Sequence, residues 1–140
     1  NEGRKPTTTE MARLAINRLE KNPYGFFIMI EESQVDWGGH ANSAEYIQGE
    51  MASLNEVINY ALDYQELHPD ILVVLTADHE CGGVAVHDGP NGDLDIRFTS
   101  GYHSANFVPI FASGPGAEVF DAFMDNTEIG KQLIEYITER

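Results

Sequence analysis

Two continuous apolar runs, Phe26-Phe27-Ile28-Met29-Ile30 and Ile71-Leu72-Val73-Val74-Leu75, stand out from an otherwise broken pattern. Short runs of this kind between turn residues predict buried strands. The second run is wholly aliphatic, as expected of a parallel strand covered on both faces. Between them Ile47, Met51, Leu54, Ile58, Ala61 and Leu62 recur at helical spacing. They predict a long amphipathic helix from the capping signature Asn42-Ser43-Ala44-Glu45 to about Gln65. Strand, helix and strand over 26–75 make a βαβ crossover. Upstream, residues 1–6 read as a loose lead-in. Thr7 and Glu10 then have capping-box spacing, and Met11, Leu14, Ala15 and Leu19 give a first helix its apolar stripe. Lys21-Asn22-Pro23 stops that helix, because proline cannot continue it.

Downstream the pattern shortens. Val84–Val86 and Leu94–Phe98, joined by the turn-rich His87–Asp93, predict a β-hairpin. A further strand is predicted over Phe107–Ala112, a break at Ser113–Gly116, and a short amphipathic piece over Ala117–Phe123. A last helix follows, capped at Asp125–Glu128, with Ile129, Leu133, Ile134 and Ile137 on its apolar face. No internal repeat, low-complexity tract or second domain is visible. The expected class is α/β: residues 1–140 as a single domain, with a mainly parallel sheet of about four strands flanked by helices and a hairpin excursion.

Charge changes this picture more than composition does. Eight Lys and Arg stand against 23 Asp and Glu, for a net charge of −15. Such a chain has no basic patch for nucleic acid, and it repels phosphate-bearing ligands unless bound cations reverse the local field. The 140 residues are 42% hydrophobic, enough for a core, yet no run approaches the ~20 residues of a membrane span. The polar start, Asn-Glu-Gly-Arg-Lys-Pro, carries no secretory signal and no initiator Met, as a piece of a longer product would. The single cysteine, Cys81, excludes an intrachain disulfide framework.

Candidate chemistry gathers where the two apolar runs end. The first leads into Glu31-Glu32-Ser33-Gln34-Val35-Asp36-Trp37-Gly38-Gly39-His40. Asp36 and His40, four apart, can be aimed at one cation by a helical turn or a tight loop, and a carboxylate with an imidazole suits zinc. An acidic surface loop is the plain alternative. The second run leads into Thr76-Ala77-Asp78-His79-Glu80. Asp78 and His79 are therefore expected on the same sheet edge as Glu31 and Asp36, where open α/β sheets bind ligands. Cys81 beside them reads as a buried, inert thiol rather than a ligand. His68 beside Pro69 and His87 on the hairpin read as exposed, although His87 and its acidic neighbours offer a weak cation site. His103, in the polar segment Thr99–Asn106, carries little weight by itself.

Taken together and in order, Phe26–His40, Thr76–Gly83, Tyr102–Pro109 and Asp125–Ile129 resemble the C-terminal part of the alkaline phosphatases. The resemblance covers nearly all of the chain. It implies a phosphate monoester hydrolase with two zinc ions and a nearby magnesium. It makes Asp36, His40 and His103 ligands of the first zinc, Asp78 and His79 ligands of the second, and Glu31 a magnesium ligand. In the family a serine activated by the second zinc attacks phosphorus, and the first zinc stabilises the leaving oxygen and then supplies hydroxide to release the phosphoserine. The nucleophilic serine, its bridging aspartate and the phosphate-binding arginine belong to the family's N-terminal portion. Ser33, Ser43, Ser53, Ser100, Ser104 and Ser113 do not match the nucleophile motif, so no catalytic residue is assigned.

The resemblance thus implies a chain that binds one zinc and turns over substrate poorly or not at all. It implies pairing with the N-terminal portion or self-association, and a periplasmic or extracellular setting. Trp37 after Asp36, Cys81 at a position usually small, and Ser104 in place of a threonine depart from the family pattern; Glu32 has no assigned role. The alternatives are a related two-metal phosphodiesterase, phosphomutase or sulfatase, or a non-catalytic metal-binding interaction module.

Overall fold

The capping box expected at Thr7 and Glu10 forms. Thr7 Oγ1 accepts from the Glu10 N–H at 3.1 Å, and Glu10 Oε2 accepts from the Thr7 N–H at 2.8 Å. Two donors that a helix start leaves orphaned are thereby satisfied. A computed structural model describes residues 5–138, and the lead-in expected over 1–6 lies mostly outside them. In chain order the elements are α1 (Thr8–Leu19), α2 (Gln34–His40), α3 (Ala44–Leu67), β1 (Val73–Leu75), β2 (Glu80–Cys81), β3 (Ala85–Asp88), β4 (Leu94–Arg97), β5 (His103–Ser104), β6 (Phe111–Ser113) and α4 (Asn126–Thr138). Short 3-10 turns span Pro90–Gly92 and Ala117–Phe120. The chain is α/β, and its contacts divide it into two compact units.

The first unit comprises the residues up to Ile58 together with His79–Phe107. Its helix α1 buries Thr8, Ala12 and Ile16, one line at i, i+4 and i+8. The expected stripe is turned: Met11 and Leu14 lie well round the helix from that line and are exposed. Residues 26–32 run extended, with Phe26, Ile28, Ile30 and Glu32 half-buried and Phe27, Met29 and Glu31 exposed. That is the alternation of a strand. Among the described residues, however, the segment has no ladder partner, so the strand expected over 26–30 is extended chain only. The apolar run dictated the conformation, whereas a ladder also needs a neighbour's N–H and C=O groups. The α3 start is where expected, with Ser43 Oγ accepting from the Tyr46 N–H at 3.2 Å. The predicted hairpin is β3 against β4, in register from Ala85↔Arg97 to Asp88↔Leu94.

The second unit comprises Asn59–Asp78 and the residues from Val108 onward. Here β1 pairs with β6 over Val73↔Ser113 to Leu75↔Phe111. Gln65 near the end of α3 fastens both strands: its Nε2 donates to Ile71 O at 2.8 Å and Ser113 O at 2.7 Å, and its Oε1 accepts from Ser113 Oγ. The strand expected over Phe107–Ala112 is cut to 111–113, consistent with Pro109 having no N–H to offer a ladder. The amphipathic piece expected over 117–123 contracts to the 3-10 turn, where Phe120 is buried. Helix α4 starts as predicted, Asp125 Oδ1 accepting from the Thr127 N–H at 2.9 Å. Its inner face is Ile129, Leu133 and Tyr136, while Ile134 and Ile137 are exposed.

All three ladders are antiparallel pairs. The parallel pairing expected of the runs 26–30 and 71–75 does not occur among the described residues. An all-aliphatic run such as 71–75 signals burial, and burial does not fix the direction of the neighbour.

Candidate metal centre

Helix α2 carries Asp36 in its first turn and His40 at its end, so the two share one face. Asp36 Oδ2 lies 3.5 Å from His40 Nε2. Gly38 and Gly39 are poor helix formers, and their presence has a packing reason. A Cβ on Gly38 would come within 2.8 Å of Ile47 Cγ1, and one on Gly39 within 2.8 Å of the Cys81 carbonyl oxygen. The glycines let α2 press against the start of α3 and against β2. Of the helical turn or tight loop expected between Asp36 and His40, the helix is what forms.

Strand β2 pairs with β5, Glu80 opposite Ser104 and Cys81 opposite His103. This ladder carries His103 to Asp36, with Nε2 3.3 Å from Oδ1. His103 also stacks on His79, ring centroids 3.6 Å apart, and lies 5.0 Å from the His40 ring. The segment before His103 is tied down repeatedly. The Gly82 N–H donates to Tyr102 O at 3.0 Å, and the Thr99 and Ser100 N–H groups donate to Gly82 O at 3.1 Å. With its amide oriented to satisfy both groups, Asn42 donates to Ser100 O at 2.6 Å and to Gly39 O at 3.0 Å.

Three observations bear on whether a cation fits here. First, His40 Nδ1 lies 2.8 Å from Gly101 O. A carbonyl only accepts, so Nδ1 carries the proton, which leaves Nε2, the nitrogen facing Asp36, as the one a metal ion would take. Second, Asp36 Oδ1 is shut off from solvent and makes no hydrogen bond, although His103 Nε2 stands 3.3 Å away. The two atoms face each other as co-ligands do, rather than as donor and acceptor. Third, around a tetrahedral ion held at ~2.0–2.1 Å by nitrogen and oxygen, ligand atoms stand ~3.3 Å apart; His103 Nε2 lies 3.3 Å from Oδ1 and His40 Nε2 lies 3.5 Å from Oδ2, the two oxygens of one carboxylate. The donor set of one carboxylate and two imidazoles fits zinc.

Ligand atoms of Asp36, His40, Cys81 and His103 all lie within 4.8 Å of one another. Cys81 differs from the rest: its thiol donates to the Asp36 backbone oxygen at 3.4 Å, and burial, reinforced by Asp36, pushes its pKa up to about 11. It is a half-buried thiol, where the sequence led us to expect a buried one. His79 is half-buried against His103 and outside that group of four. Glu31 is exposed near the end of the extended segment, and Asp78, which closes the first stretch of the second unit, is exposed too. His68 stacks on Tyr64 at 4.1 Å rather than standing free beside Pro69. Glu32, which had no assigned role, accepts from Ser53 Oγ at 2.9 Å. Trp37 is largely exposed.

Sequence reasoning missed the groups that hold these side chains in place. The Gly101 carbonyl and the Asn42 amide leave no trace in residue chemistry. Glu80 is different. Its carboxylate accepts from Ser104 Oγ and, at 2.9 Å, from the Val84 N–H. Those bonds, led by the Ser104 hydroxyl, hold its pKa below the usual range against the opposing effect of burial. A residue between His79 and Cys81 in a strand points away from both, which was the available signal.

The family model for alkaline phosphatase matches residues 1–92. Alkaline phosphatase 3 of Bacillus subtilis is 31% identical over 202 aligned positions, covering 93% of this chain and 44% of that protein. The structure of alkaline phosphatase from the Antarctic bacterium TAB5 superposes with a TM-score of 0.89 at 37% identity, covering 96% of this chain and 42% of the other. A variant of that enzyme, described with magnesium bound, superposes with a TM-score of 0.85 at 36% identity, again covering 96% and 42%. The chain therefore spans less than half the length of these relatives.

Proposed function

This chain belongs to the alkaline phosphatase family, and on that premise we propose that it supplies the metal-binding part of a phosphate monoester hydrolase. Asp36, His40 and His103 hold the first zinc. His79, with Asp78, belongs to a second zinc, and Glu31 to a magnesium site. The observation that carries this reading is the Asp36 carboxylate, whose solvent-excluded Oδ1 makes no hydrogen bond and faces His103 while Oδ2 faces His40, the His40 Nδ1 being held by the Gly101 carbonyl. Bound zinc neutralises charge on a phosphate ester and lowers the pKa of bound water.

The residues of this chain bind and orient. Asp36 and His40 fix two ligand directions from one helix face, and His103 brings the third from β5. The His79–His103 stack, 3.6 Å between centroids, brings a residue that would hold the second zinc beside one that would hold the first. No serine here matches the family nucleophile, so the 140 residues alone bind zinc and hydrolyse phosphate esters poorly or not at all. Residues 1–140 are then one portion of an alkaline-phosphatase-like domain. Exposed apolar side chains such as Tyr24, Met29, Phe107 and Phe123 support its pairing with the rest of that domain or with a second copy. A periplasmic or extracellular setting is part of the same reading. No described helix is long and apolar enough to cross a membrane.

Zinc titration of the purified chain, with hydrolysis of a chromogenic phosphate monoester followed alongside, tests this. One saturable tight site with negligible turnover is expected. Absence of saturable zinc binding overturns the metal reading, and steady hydrolysis by the chain alone overturns the assignment of catalysis elsewhere.

A further inference from the structure

The β2–β5 ladder has two faces with different tasks. Along a strand successive side chains alternate, so Cys81 and His103, which pair, share one face, and His79, just before β2, stacks on His103. Glu80 and Ser104 are the pair on the reverse face. There the Ser104 hydroxyl donates to Glu80 Oε2, while Glu80 Oε1 accepts from the Val84 N–H at 2.9 Å. The same carboxylate therefore ties β5 to β2 and β2 to the turn through Gly82 and Gly83. It stands directly behind the stack of His79 on His103.

We propose that Glu80 and Ser104 form a clasp on the back of this two-residue ladder, positioning His79 and His103 and hence the spacing of the ions they hold. The inference rests on the zinc reading given above. Neither residue touches the candidate metal position; both are positioning residues acting through the histidines next to them. The need for such a clasp follows from the ladder's length. Two residues per strand give few backbone bonds, too few to fix a ring position unaided, and ligand orientation is commonly set from behind the ligands. A threonine, which also carries a hydroxyl, serves the same bond, whereas alanine does not.

The test uses the 140-residue chain. Zinc affinity is measured by competition with a chromophoric chelator, and amide exchange at Gly82, whose N–H bonds Tyr102 O, is followed without metal. Ser104→Ala is expected to weaken zinc binding about tenfold or more and to speed Gly82 exchange, with thermal melting little changed. Ser104→Thr is expected to restore both, and Glu80→Ala to match the alanine variant. Unchanged affinity and unchanged exchange in both alanine variants overturn the clasp; so does a loss that threonine fails to restore. If His103→Ala binds zinc as tightly as the unaltered chain, the zinc reading fails, and the metal-free exchange data still decide the clasp.

Discussion

The metal centre and the β3–β4 hairpin are built from similar residues and differ in almost everything else. The hairpin places His87 opposite Asp95, with Asp88 and Asp93 nearby. By composition it rivals Asp36, His40 and His103. His87, Asp88 and Asp93 are exposed, as His40 and His103 also are; the difference is that the Asp95 carboxylate is engaged by Arg97, whose Nε donates to it at 2.9 Å. No solvent-excluded oxygen faces an imidazole there. At the centre, side chains from two distant stretches, Asp36 and His40 from α2 and His103 from β5, converge because backbone bonds, close glycine contacts and a short ladder force them together. Acidic residues with a histidine make a site only when their charge is enclosed and left for an ion to satisfy.

The sharpest way to break that contrast is to delete one residue on each side. His103→Ala is expected to weaken zinc binding about 200-fold, since three protein ligands share a binding free energy of order 10 kcal/mol and each 1.4 kcal/mol is a factor of ten. His87→Ala is expected to leave it within about twofold, because nothing encloses that ring. Calorimetric titration of both decides the matter.

Saturation with zinc comes next. At about 100 times its dissociation constant the ion should stabilise the chain by about 2.7 kcal/mol, an effect abolished by a chelator. Thermal melts should show it undiminished in His87→Ala and lost in Asp36→Asn.

Glycine replacements sharpen the comparison further. Gly39→Ala puts a Cβ against the Cys81 backbone and should cost about 1–3 kcal/mol, as overpacking does, with weaker zinc binding. Gly92→Ala meets nothing within 4 Å but has a φ of +84°. It should cost about 1 kcal/mol and leave zinc binding untouched. Denaturant titration separates the two.

The smallest effect concerns pH. Arg97 holds the Asp95 carboxyl below its ordinary 3.8. A carboxylate whose folded pKa is depressed adds stability above its unfolded pKa and loses it as pH falls through the folded value. Melting temperature should therefore fall below about pH 4, and Arg97→Ala should flatten that limb slightly without altering zinc affinity at pH 7.

How much of this was legible beforehand varies with the reach of each interaction. Caps at Thr7, Ser43 and Asp125 were readable because a cap is settled within four residues. The hairpin was readable because its turn lies between its strands. Strand direction was not: the residues of β1 do not say that β6 meets them antiparallel, and the run at 26–30 does not say which neighbour it lacks. Helix faces were read from apolar content, and for α1 and α4 the buried line passed through Ala12 and Ile16, or through Tyr136, instead of Met11, Leu14, Ile134 and Ile137. The ligand candidates were named from residue type and order. What aims them, from the Gly101 carbonyl to the Asn42 amide and the Glu80–Ser104 pair, is geometry between segments far apart in the chain.

That last feature has a practical side. The bond from His40 to the Gly101 carbonyl joins residues 61 apart, so the pocket exists only in molecules whose intervening chain has closed. The apparent affinity for an ion is then the intrinsic affinity scaled by the fraction of molecules that are closed. A zinc titration becomes a gauge of folding: substitutions remote from every ligand register in it once they begin to depopulate the native state.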